Sequence, residues 1–154
     1  MTNVINNFLD NNEFEKLIKI LSSEGLNWNF KNYQFFKDDA KGKIKCHRMI
    51  CKNIKDFYNF KILEDKINLG NLDKINVKLI TKSSILVDFP VEQNETPTMI
   101  FFLNTNDGFL EVDGIGKIAC NENTIVHLPA KSLFFHSSCT DQDYKMYIEL
   151  ELKE

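Results

Sequence analysis

Arginine is almost absent from this chain: Arg48 is the only one among 19 basic residues in a protein of 154 residues. A guanidinium fork is the usual tool for gripping phosphate or carboxylate with two hydrogen bonds. The lysines present in its place are scattered without a basic block, and the net charge is -3. No nucleic-acid partner and no anionic membrane surface is therefore expected. Cysteine is also sparse. Cys46, Cys51, Cys120 and Cys139 form neither a Cys-x-x-Cys pair nor a dense framework, so all four are expected as free thiols.

Long apolar runs are missing too, none approaching the ~18 residues of a membrane helix. The opening Met1-Thr-Asn-Val-Ile-Asn-Asn7 lacks the charged start of a secretory leader. A soluble, cytoplasmic protein is the expectation. With 6 Gly, 3 Pro and 43% hydrophobic residues, the chain is neither low-complexity nor disordered. Its length suits one domain with a sizeable core. The abundance of Lys, Asn, Ile and Phe reads as AT-rich coding, so part of that bias carries no chemistry.

What is present is patterned. Asn11 to Gly25 places Phe14, Leu17, Ile18 and Leu21 on one helical face, with Asn caps, Glu13 and Glu15 in the first turn, and Gly25 as a stop. Trp28, Phe30, Tyr33, Phe35 and Phe36 suggest an extended aromatic cover, best explained as core filler. Lys43 to Cys51 suits another strand, and Ile54, Phe57, Tyr58, Lys61 and Ile62 follow helical spacing within a second helix over Asn53 to Ile67. Cys46-His47 lacks the spacing and the second ligand pair of a zinc site.

From Lys74 the period changes to two. Strands are expected at Ile75 to Thr81, Ile85 to Phe89, Met99 to Leu103, Phe109 to Val112, Ile115 to Cys120, Thr124 to Leu128, Leu133 to His136 and Tyr144 to Leu150. The stretch Asn104-Thr-Asn-Asp-Gly108 carries a hairpin signal, which places a tight β-turn there. Two helices followed by eight short strands make an α+β, mainly β protein whose all-β half is a sandwich or jelly roll. Residues 1-72 would support the sheet and 73-154 would form its core, within one domain.

Several stretches together resemble the iron(II)- and 2-oxoglutarate-dependent oxygenases, most closely their small prolyl-hydroxylase-like, phage-type members. They are Phe8-Leu-Asp, Trp28, His47-Arg-Met-Ile50, Val87-Asp-Phe-Pro90, Phe102-Leu-Asn-Thr-Asn-Asp-Gly108, Asp113-Gly114, Glu122-Asn123 and His136 before Cys139-Thr-Asp141. The resemblance covers nearly the whole chain and implies a double-stranded β-helix, cupin-like in outline. It also implies a facial triad, His-x-Asp plus a distal His, with open positions for 2-oxoglutarate and oxygen. Carried over, the metal ligands are Asp88 and His136, and the first His position holds Leu86, which cannot ligate iron. Lys145 stands where the family places the basic residue that clamps the cosubstrate's far carboxylate, and supplies a point charge rather than a fork.

Each residue also has a plainer role. Asp88 before Phe89-Pro90 suits a turn, His136 after Phe134-Phe135 suits a core-edge histidine, and His127 suits packing more than ligation. Asn104, Thr105 and Asn106 suit turn formation, and nothing in the sequence activates Cys139. Three functions stay open: an Fe(II)/2-oxoglutarate hydroxylase of a protein side chain or small molecule, a non-catalytic β-helix binding or assembly module needing no cofactor, and a cupin-like small-ligand binder. Pairing of two copies through an edge strand is compatible with all three.

Overall fold

The computed structural model describes residues 1–22, 29–31, 48–51, 61–64, 66–67 and 71–153. Helix α1, Asn11–Ser22, forms where the apolar spacing predicts it, with Leu17 and Leu21 buried. Its cap is Asp10 rather than an asparagine. Glu13 N donates to Asp10 Oδ1 at 2.8 Å and Asp10 N donates to Glu13 Oε2 at 3.1 Å, which satisfies both free amides reciprocally. Of the expected second helix, the described residues contain only α2, Lys61–Glu64. Residues 53–60, the end of the first helix at 23–25, and the Cys46-His47 pair lie outside the described residues.

The strands are β1 Asn3–Ile5, β2 Asn29–Lys31, β3 Arg48–Cys51, β4 Leu72–Thr81, β5 Glu92–Gln93, β6 Thr98–Phe102, β7 Phe109–Val112, β8 Gly116–Ala119, β9 Thr124–Leu128, β10 Leu133–His136 and β11 Tyr144–Leu152. All named pairings are antiparallel. The larger sheet runs β1-β9-β6-β11-β4-β3-β2 and the smaller β5-β10-β7-β8. Six of the eight expected strands keep their place closely and Ile115 to Cys120 shortens to β8. The expected strand Ile85 to Phe89 is not one: that segment makes a single bridge, Asp88 to Ser137, before the two-residue β5.

The larger sheet buries both faces, which is why all five residues of β6 are buried instead of alternating. One face, with Ile75, Met99, Phe101, Ile148 and Leu150, packs on Leu9, Leu17, Leu21 and Leu63. Phe101 meets Phe8 and Phe14 edge to face at 5.8 and 6.1 Å. The opposite face, with Ile80, Ile100, Phe102, Val126 and Tyr147, packs on Val87, Phe89, Leu110, Val112 and Phe134. That second core fills the space between the sheets.

The hairpin expected at Asp107-Gly108 is instead a crossover. β6 and β7, on either side of it, belong to different sheets. Asp107 ties the crossover to the β10–β11 loop: its carboxylate accepts from Thr140 N at 2.7 Å and from the Thr140 hydroxyl, and its own N–H donates to Asp141 Oδ1 at 2.9 Å. The true tight hairpin joins β7 to β8, where Ile115 N donates to Val112 O at 3.0 Å and Gly114 takes φ 74°.

Candidate functional site

Alternation along β11 decides what lies between the sheets. Met146, Ile148 and Leu150 face the helix side, so Lys145, Tyr147, Glu149 and Glu151 share the opposite face. From β10, Phe134 and His136 point inward. His136 is 1% exposed and lies flat on Tyr147, with ring centroids 4.1 Å apart and planes 16° from parallel.

The segment facing His136 is held by backbone. Phe89 N donates to His136 O at 2.8 Å and Ser138 N to Val87 O at 2.8 Å, flanking the Asp88–Ser137 bridge. In such a pairing opposed residues share a face, so Phe89 shares the face of His136 while Asp88 shares that of Ser137. Exposure agrees: Val87 and Phe89 are 6% and 3% exposed, while Leu86 is 42% exposed and Asp88 lies at the surface. The two expected metal ligands, Asp88 and His136, are close in the fold and turned to opposite faces. Leu86 accompanies Asp88 outward. A serine network fixes this register: Ser138 Oγ accepts from Val87 N at 3.0 Å and lies 2.5 Å from Ser83 Oγ.

Lys145 is fully buried between the sheets. Its ammonium donates to Phe109 O at 2.7 Å and Ser137 O at 3.0 Å, joining the start of β7 to the end of β10. Burial pushes the neighbouring Cys120 thiol up, and the Lys145 ammonium works against that rise. His127 on β9, paired with Met99 of β6, is half-buried; burial lowers its pKa, and its Nε2 finds no hydrogen-bond partner among the described residues. Cys139 is buried, its thiol 3.5 Å from Gln142 O. Asn104 and Asn106 serve the crossover as turn formers: Asn104 Oδ1 accepts from Met146 N at 2.9 Å and Asn106 Oδ1 from Gly108 N at 2.9 Å.

The inner strip of β11 also holds groups that the sequence reading missed. Lys78 and Glu149 form an ion pair with both carboxylate oxygens at 2.8 Å, each side chain 8% exposed. Glu149, with Glu151, Thr98, Asn94, Glu92 and Phe134, lines a cleft of about 340 Å³ between the sheets. Its central carboxylates are matched, Glu149 by Lys78 and Glu151 by Lys74 at 3.2 Å. The signal was in the sequence: Lys145, Glu149 and Glu151 keep phase with Tyr147, so charge falls on a face that must be buried.

The fold has counterparts among solved enzymes. The carbocyclase SnoK of nogalamycin biosynthesis, a non-heme α-ketoglutarate-dependent enzyme, superposes with a TM-score of 0.65 at 9% identity, over 97% of this chain and 78% of that one. The Escherichia coli ribosomal oxygenase YcfD gives 0.61 at 8% identity, over 99% of this chain and 48% of that one. A Pseudomonas putida prolyl-4-hydroxylase gives 0.59 at 10% identity, over 99% and 92%. The fold is the double-stranded β-helix of the 2-oxoglutarate-dependent oxygenases. The chain spans about half the length of the ribosomal oxygenase it matches. No protein-family model and no curated protein sequence matches it.

A member of that fold family that works on iron(II) and 2-oxoglutarate needs protein ligands converging on one inward point and a cation for the cosubstrate. The described residues do not fit that group. No three His, Cys, Asp or Glu among them could hold a metal. The inward positions facing His136 are Val87 and Phe89, and the Lys145 ammonium is bound to two backbone carbonyls.

Proposed function

We propose that this chain is a degenerate member of the oxygenase fold, acting as a non-catalytic binding or assembly module rather than as a dioxygenase. The observation that carries this is the one-residue phase of the Leu86–Asp88 segment. It turns the Asp88 carboxylate outward and presents Val87 and Phe89 to the interior. An apolar wall on that side supplies packing and no ligand, and Tyr147 covers one face of the His136 ring. Lys145 acts as a buried strut between β7 and β10.

The deciding experiment is anaerobic calorimetry of the full chain with manganese(II), an oxygen-stable substitute for iron(II), with and without 2-oxoglutarate. No saturable binding at micromolar protein is expected in either case. Tight binding that strengthens with 2-oxoglutarate and disappears in His136→Ala would overturn the reading and restore the hydroxylase.

A further inference from the structure

The outer face of the smaller sheet departs from the rule for a solvated antiparallel sheet, in which outward positions are polar. On β10 the outward residues are Leu133 and Phe135, and Val91 stands beside them. Val91 is 62% exposed and Leu133 41%. Phe135 meets Phe109 edge to face at 6.1 Å, extending the apolar strip onto β7. Val91, Leu133 and Phe135 line a groove of about 260 Å³ whose remaining walls include Phe134, Glu111 and Asp113. Register puts Glu111 directly opposite Phe135, and Asp113 N donates to Leu133 O at 2.9 Å, so each carboxylate borders an apolar side chain.

Neither carboxylate forms an ion pair among the described residues. The cation nearest in register, Lys117 opposite Glu111, has its ammonium 4.3 Å from the centroid of the Phe109 ring. The groove is smaller than the ~300–1,000 Å³ usual for drug-sized ligands and suits one or two side chains from a protein. An apolar floor bordered by unmatched carboxylates complements an apolar anchor flanked by cations.

We propose that this face docks a segment of a partner protein carrying an apolar anchor residue flanked by lysine or arginine. The site stands apart from the space between the sheets and does not depend on metal. Binding of manganese would therefore overturn the reading above and leave this one standing.

The test is fluorescence polarisation of the full chain with labelled hexapeptides: alternating lysine and leucine, lysine and serine, or glutamate and leucine. The lysine–leucine probe is expected to bind at least about tenfold more tightly than either other, a difference of about 1.4 kcal/mol. Leu133→Ser should remove that advantage, and the double variant Glu111→Lys/Asp113→Lys should transfer it to the glutamate–leucine probe. All three positions are solvent-facing or half-buried, and circular dichroism checks that the variants fold. Equal binding of all probes, or binding indifferent to both variants, would overturn the proposal. So would absence of peptide binding, and wild-type self-association abolished by Leu133→Ser would assign the face to a second copy of the chain instead.

Discussion

His136 and Tyr147 lie ring on ring, 4.1 Å between centroids, at the centre of the space between the sheets. The contact joins the two sheets, β10 supplying the imidazole and β11 the phenol ring. It also fixes which neighbours His136 can have. Across the Asp88–Ser137 bridge those are Phe89 and Val87, with Leu86 and Asp88 on the other side.

Restoring histidine at position 86 should therefore fail to rebuild a triad. Leu86→His places an imidazole two residues from Asp88 on the outer face, away from His136. Calorimetry of the variant is expected to show at most weak, 2-oxoglutarate-independent manganese binding that survives His136→Ala. Binding strengthened by 2-oxoglutarate would mean that the segment slips by one residue when offered a ligand.

Lys145→Met should lower stability by about 1–3 kcal/mol, since it takes the charged donor from the Ser137 carbonyl and leaves the Phe109 carbonyl with the Ser137 N–H at 3.0 Å. Chemical denaturation would show it as a lower midpoint at unchanged slope. A neutral outcome would mean that water replaces the ammonium.

The Lys78–Glu149 pair lends itself to a double-mutant cycle. Removing one partner, as in Lys78→Met, leaves a buried carboxylate unpaired and is expected to cost about 3–5 kcal/mol, whereas Lys78→Met with Glu149→Leu should recover most of that loss. Additive losses in the double variant would show that the two groups act independently.

Two glycines should respond differently to alanine. A Cβ at Gly108 would sit 2.6 Å from Ser138 O and 2.7 Å from Asn106 Oδ1, so backbone must move, and a loss of more than about 2 kcal/mol is expected. At Gly114 nothing lies within 4 Å, and only the φ of 74° is unfavourable, so about 1 kcal/mol is expected. Thermal melts of the two variants test the order.

His127 gives a pH dependence of known sign. Burial lowers its pKa in the folded chain below the ordinary value, so on acidification the unfolded chain takes up the proton first. Stability should fall as pH drops below about 6.5 and level off beneath the folded-state pKa. His127→Gln should flatten that part of the profile, measured as denaturant midpoint between about pH 5 and 7.5. An unchanged slope would assign the effect to another group.

The amino-acid sequence by itself determined what is local. The period of two fixed β4, β6, β7, β9, β10 and β11 to within a few residues, and the apolar spacing from Phe14 to Leu21 fixed the buried face of α1. Asp113-Gly114 specified its hairpin through a backbone conformation that glycine adopts freely. The tertiary structure decided what depends on distant partners. The same turn chemistry at Asp107-Gly108 became a crossover, because β6 pairs with β9 and β11 and leaves β7 to the other sheet. Lys145 went inside because its strand's other face was committed to Ile148 and Leu150. The candidate site turned on the finest of these choices. Leu86, Val87, Asp88 and Phe89 have no pattern strong enough to set their own phase, and pairing with Ser137 and Ser138 set it for them. Since side chains alternate residue by residue, that single step separates a carboxylate facing His136 from one facing water.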